Sequence, residues 1–124
     1  MSFKKYGNKI IIFDIDHTIC KTTNKKYNLS KPYKNKIKLI NDLYKKGNII
    51  KIFTARYMGS HNGNINLINK KYYKKTLKQL KKWKLNFHEL IMGKPIFDLF
   101  VDDKAYNTRD KKLKKILENI IKNN

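Results

Sequence analysis

The sequence predicts an α/β fold: a mostly parallel sheet with helices on both faces, in one domain over residues 1–124. Three observations predict it. Short runs of β-branched and apolar residues alternate with segments of helical period, the pattern of strands joined by right-handed crossovers. A hydrophobic fraction of 40% over 124 residues suffices for a real core without metal or disulfide staples, and the length is cramped for two domains. No apolar run approaches the roughly 18 residues of a spanning helix. Asp14 and Asp16 interrupt the N-terminal apolar stretch that otherwise resembles a signal peptide. The expectation is a cytoplasmic protein without membrane insertion, and the lone Cys20, which cannot form an internal disulfide, suits a reducing compartment.

Residues 8–15 lack helical period and read as a strand buried on both faces. Residues 17–31 are polar and read as a loop or small hairpin. Ser30 and Pro32 signal a helix start, followed by Ile37, Ile40 and Leu43 or Tyr44 on one face, with Gly47 as the C-terminal cap. Residues 49–54 form a second apolar strand. The stretch 57–69, with Gly59, Gly63 and four asparagines, reads as a loop. A helix is expected over 70–84, with Tyr73, Leu77, Leu80 and Trp83 inward and lysines outward. Residues 87–92 give a third strand, Gly93-Lys94-Pro95 a break and residues 96–101 a fourth strand. Residues 108–122 close the chain as a helix, with Leu113, Ile116, Leu117 and Ile120 facing in.

The formal net charge of +21 invites a search for nucleic acid, since lysines near phosphates release counterions. The composition argues against that emphasis. There are 28 lysines to two arginines, beside 15 asparagines and 17 isoleucines, the bias of AT-rich coding DNA, whereas phosphate recognition favours the planar fork of arginine. The nine carboxylates are more informative. Asp14 and Asp16 follow the first predicted strand and Asp102 and Asp103 the fourth, the edge where ligands of parallel sheets bind. Carboxylates crowded there call for a positive partner, and a hard divalent cation, Mg2+, answers the need. Residues two apart on a strand face one side, so Asp14 and Asp16 can act on one bound group.

These residues resemble the motifs of the haloacid dehalogenase (HAD) superfamily. Residues 11–18 carry Asp14-Ile15-Asp16-His17-Thr18 after an apolar run, similar to motif I. Ile52-Phe53-Thr54-Ala55-Arg56 resembles motif II, Gly93-Lys94-Pro95 motif III and Leu99-Phe100-Val101-Asp102-Asp103 the Asp-Asp form of motif IV, all in family order. His17 stands where the superfamily usually has glycine. The resemblance implies a Rossmann-like core without a cap domain, since the connections are too short for one, and a Mg2+-dependent phosphatase. It implies that Asp14 is the nucleophile, forming an aspartyl-phosphate, and that Asp16 is the general acid and base. Thr54 and Lys94 would complete the catalytic set, with Lys94 opposing developing negative charge. Thr18, Arg56 and the backbone N–H groups of Ile15 and Ala55 would bind substrate. Mg2+ would be held by Asp14, Asp16 through its carbonyl, and Asp103, with Asp102 in support. Arg56 is expected to bind substrate phosphate or to pair with Asp98 or Asp102.

Finer details around Thr54-Ala55-Arg56-Tyr57-Met58 and Val101-Asp102-Asp103-Lys104-Ala105 look like small phosphatases of capsular and surface-polysaccharide biosynthesis. The implied partner is a phosphorylated sugar or related metabolite. An open site of this kind is closed by a large substrate or by a neighbouring subunit in a homo-oligomer. The pattern is also similar to the 3′-phosphatase domains of polynucleotide kinases, which makes nucleic-acid end processing the alternative; a non-catalytic HAD-like binding module is the third. Cys20 reads as a small buried residue, His61 and His88 lack metal-ligand spacing, and Trp83 with Tyr72 and Tyr73 reads as core.

Overall fold

A computed structural model describes residues 8–123. The elements run β1 (Ile10–Phe13), β2 (Cys20–Lys21), a short 3-10 turn (Tyr27–Leu29), β3 (Lys31–Pro32), α1 (Lys34–Lys45), β4 (Ile49–Thr54), α2 (Ile65–Lys82), β5 (Glu89–Met92) and α3 (Leu113–Asn123). The architecture is mixed α/β: β1, β4 and β5 form a parallel sheet in that order, and β2 pairs with β3 as a small antiparallel hairpin. The polar segment 17–31 is therefore the small hairpin that its composition allows. No helix among the described residues is long and apolar enough to cross a membrane.

The register sorts the sheet into two faces, because paired residues share a face and side chains alternate along each strand. Ile11, Phe13, Ile50, Ile52, Thr54, Leu90 and Met92 lie on one; Ile10, Ile12, the buried Ile49, Lys51, Phe53, Glu89 and Ile91 lie on the other. On the first face Ile50, Ile52, Leu90 and Met92 are buried in a core shared with Ile37, Ile40 and Leu43 of α1, Ile68 and Leu80 of α2 and Leu117 of α3. On the second, Ile10 and Ile12 are 46% and 56% exposed. Cover on both faces was expected; the structure supplies it fully on one.

All three helices place their buried apolar residues in that one core, and the expected fourth strand is missing from the sheet. Residues 96–101 form no strand, and Ile96, Leu99 and Val101 are exposed, which leaves β1 as an edge. Phe97 and Phe100 touch, ring centroids 5.2 Å apart, a three-residue spacing that an extended strand does not bring together. The Lys94 ammonium lies over both rings, at 5.2 and 5.9 Å, and draws the segment back toward the sheet's end instead of along β1.

Helix boundaries differ for local reasons. Ser30 does not cap α1; it lies in the hairpin, and the helix begins after Tyr33. Gly47 ends α1 as expected: at φ +92° it closes a turn in which Asn48 N–H bonds the Leu43 carbonyl, six residues spanning one loop. α2 starts at Ile65, before the expected Lys70, because the Asn64 side chain accepts the Leu67 N–H at 3.1 Å and caps the helix. α3 starts at Leu113, since Asn107 and Asp110 spend the preceding residues in side-chain-bonded turns.

Candidate active site

The carboxyl ends of the three parallel strands meet at one edge. β1 delivers Asp14, β4 ends in Thr54, and β5 ends at Met92, paired with Thr54 and followed by Gly93 and Lys94. Gly93, at φ +93°, makes the sharp exit from β5; a side chain there would also meet Ile65 at 3.0 Å. The turn brings Lys94 N–H onto the Thr54 carbonyl at 3.0 Å, and Lys94 Nζ reaches within 3.6 Å of Asp14 Oδ2. Thr54 is fully buried, with its hydroxyl accepting the Arg56 N–H at 3.1 Å. Three of the four expected catalytic residues thus share the edge.

Asp14 is half-buried, and its Oδ1 accepts the Ile15 N–H at 2.9 Å. Burial raises its pKa above the ordinary value of 3.8, against the opposing pull of Lys94 and the Ile15 N–H. Its carboxylate faces one cation, Lys94, and is otherwise free of side-chain hydrogen bonds among the described residues.

Asp16 is held differently. Arg56 grips it with both fork nitrogens, Nε on Oδ2 and Nη2 on Oδ1, each at 2.9 Å. The Thr22 hydroxyl donates a short hydrogen bond to Oδ1, and the Cys20 thiol lies 3.7 Å from the same oxygen. Burial alone would push the Asp16 pKa up, but Arg56, Thr22 and Cys20 together bring it below 3.8. Arg56 is itself buried, at 2% exposure, so its partner is this aspartate; Asp98 and Asp102, the expected partners, are exposed. Arg56 Nη1 also donates to Gln79 Oε1 at 2.6 Å, Gln79 Nε2 donates to the Tyr27 carbonyl at 2.7 Å, and Ser30 Oγ lies 3.3 Å from Nη2. A general acid must hold a proton at working pH, and this arrangement keeps Asp16 ionised.

The Asp16–Cys20 turn explains His17. His17 adopts φ 64°, the left-handed region that glycine enters without strain, and its N–H bonds the Cys20 carbonyl at 2.7 Å. The exposed imidazole makes no hydrogen bond among the described residues, so the geometry of the turn, not the ring, is what the position must satisfy. His17→Val, β-branched, is expected to destabilise by about 1–2 kcal/mol and His17→Gly to be tolerated, measured by urea unfolding.

The other expected residues divide. Thr18 is half-buried with its N–H on the Ile15 carbonyl, and the Ile15 N–H is already on Asp14. Ala55 is half-buried beside Thr54. Asp102 and Asp103 are exposed; Asp102 Oδ1 accepts the Lys104 N–H at 2.7 Å, and no hydrogen bond or ion pair joins either to Asp14 among the described residues. No group of three or more His, Cys, Asp or Glu able to hold a metal occurs among the described residues. Of the donors expected for Mg2+, the Asp14 carboxylate keeps Oδ2 beside Lys94, Arg56 binds the Asp16 carboxylate and not its backbone carbonyl, and Asp103 is exposed. Cys20 is a buried thiol whose pKa is raised by burial, in keeping with a small core residue.

Sequence reasoning missed Thr22, Ser30, Gln79 and Tyr27, which complete the Arg56 network. A signal was present: one of only two arginines follows an apolar strand directly, and a buried guanidinium requires several acceptors. Trp83, expected in the core, packs against it with one edge and lines an open cleft with Tyr27 and Tyr57.

Among solved structures, the chain is similar in fold to the crystal structure of an MCSG target from Vibrio cholerae, with a TM-score of 0.77 and 24% identity over 93% of this chain and 97% of that one. No family model matches the chain, and no curated protein matches it significantly.

Proposed function

We propose that the protein is a capless HAD-type phosphatase that hydrolyses a phosphomonoester through an aspartyl-phosphate, with a phosphorylated sugar or related metabolite of surface-polysaccharide biosynthesis as substrate. The observation that carries the reading is the Asp14–Lys94 pair, 3.6 Å apart at the carboxyl ends of three parallel strands. An Asp14 oxygen attacks phosphorus, the phosphorus–ester oxygen bond breaks, and the leaving oxygen takes a proton from Asp16. Water then attacks the acyl phosphate, gives its proton back to Asp16, and releases phosphate with Asp14 restored. Lys94 opposes the charge that accumulates on the phosphoryl oxygens.

Asp16 starts ionised beside Arg56. A phosphate dianion brought next to it opposes Arg56 and favours the protonated form, so substrate binding itself arms the acid. The Arg56 grip returns Asp16 to the ionised form suited to accepting a proton from water.

Mg2+ belongs to the proposal. Asp14, the Asp16 backbone carbonyl and Asp103 would hold it, with Asp102 in support, and it would supply charge neutralisation for the approach of phosphate to a carboxylate. Mg2+ at about 100 times its Kd is expected to raise unfolding free energy by about 2.7 kcal/mol. An unchanged melting temperature at saturating Mg2+ counts against the site, and Asp103→Asn should abolish the shift. The function is tested by steady-state assays on a phosphosugar panel and a 3′-phosphorylated oligonucleotide, with and without Mg2+. Turnover of a phosphosugar is expected; turnover of the oligonucleotide alone overturns the sugar reading, and no turnover at all overturns the enzyme.

A further inference from the structure

Beside the Asp16–Arg56 pair lies an open cleft of about 250 Å³, walled by Tyr27, Tyr57 and Trp83 and rimmed by Lys75, Lys78 and Lys82. The three lysines sit three and four residues apart along α2, which stacks them on one helix face. They are exposed, and none forms an ion pair among the described residues. The floor is rigid. Gln79, fixed by Arg56 Nη1 at 2.6 Å, holds the Tyr27 carbonyl at 2.7 Å, and the Arg56 guanidinium sits 4.9 Å from the Tyr27 ring centroid.

Tyr57 is held in the left-handed region at φ 69°, a strained backbone for an aromatic residue. The strain seats its ring flat against Tyr72, centroids 3.6 Å apart, and edge-on to Tyr27 at 4.8 Å. In a lysine-rich chain a cationic helix face is ordinary. Three unpaired lysines converging on a preorganised aromatic wall, with strained backbone behind it, are not.

We propose that this cleft binds the remote end of the substrate: a sugar ring laid against Tyr27 and Trp83, bearing a second anionic group that Lys75, Lys78 and Lys82 receive. The inference rests on the phosphatase reading for what happens at the first phosphate, but not for binding. The size suits a single ring, since about 250 Å³ lies just below the usual range of ligand sites and has room for one sugar unit. The aromatic walls supply the flat apolar surface that a sugar ring face stacks on, and the ammonium groups supply charge-assisted hydrogen bonds.

Trp83 is the chain's one tryptophan, so its fluorescence reports on the cleft without any need for turnover. The titration is run on the Asp14→Asn protein with fructose 1,6-bisphosphate, fructose 6-phosphate, fructose and a single-stranded oligonucleotide. A saturable change with the bisphosphate is expected, about tenfold weaker for the monophosphate and absent for the free sugar. Lys75→Gln/Lys78→Gln/Lys82→Gln should weaken the bisphosphate about tenfold with an unaltered circular dichroism spectrum. A matched charge change elsewhere, Lys111→Gln/Lys114→Gln/Lys115→Gln, should leave the response in place. Equal loss in both triple variants, equal binding of mono- and bisphosphate, or a response to oligonucleotide alone overturns the proposal. Saturable bisphosphate binding in a protein that hydrolyses nothing upholds the cleft and overturns the phosphatase.

Discussion

Asp14→Asn is expected to lower phosphatase activity by about four orders of magnitude or more while leaving the protein at least as stable as the parent at neutral pH. The two halves have one physical origin. Burial raises the Asp14 pKa above 3.8 even with Lys94 at 3.6 Å, so the folded structure disfavours the ionised form that the chemistry requires. A group with a raised folded pKa adds stability that is complete below 3.8 and lost as pH rises through the folded value; at pH 7 the ionised carboxylate is a liability to the fold. The amide of asparagine keeps the shape and the Ile15 N–H bond to its oxygen without the charge. It cannot attack phosphorus. Steady-state turnover and thermal melting of the same preparation check both halves. Retained activity sinks the covalent intermediate, and a large fall in melting temperature shows Asp14 to be a structural ion-pair member instead.

The residues that sequence reasoning placed well share one property: their position follows from the end of a strand. Asp14, Thr54 and Lys94 each close or follow an apolar run, and parallel strands with crossover helices bring such ends to a single edge. Arg56 was visible as unusual, yet its partner was not, because pairing across 40 residues depends on how the hairpin of β2 and β3 folds over the end of β4. Residues 96–101 show the limit from the other side. Six mostly apolar residues read as a strand in any sequence, but a strand needs a neighbour's backbone, and the contacts of Phe97 and Phe100 with Lys94 satisfy the segment differently. The early start of α2 turns on a residue type with two meanings: asparagine marks loops, and Asn64 also caps a helix.

The Asp16–Arg56 pair should prove the more expensive of the two aspartate sites to disturb. Asp16→Ala is expected to destabilise by about 3 kcal/mol, because it strands a guanidinium with a side chain only 1% exposed, and water can do little to replace the lost carboxylate. Arg56→Met in the same background removes the stranded charge and fills its volume with an apolar chain, so the double variant should be more stable than Asp16→Ala alone; equal or lower stability would show that the pair does not act as a unit. Acid titration gives an independent reading with the opposite sign from Asp14. The Asp16 pKa is below 3.8, because Arg56 and its companion donors outweigh burial, so its contribution is full above 3.8 and disappears as pH falls through the folded value. The parent should therefore gain stability from Asp14 as pH drops toward 3.8 and lose it from Asp16 below, whereas Asp16→Ala should keep the first limb without the Asp16 share of the second. Parallel acid profiles for the two proteins would mean that Asp16 is not the group Arg56 holds ionised, and the proposed arming of the acid by substrate charge would fall with it.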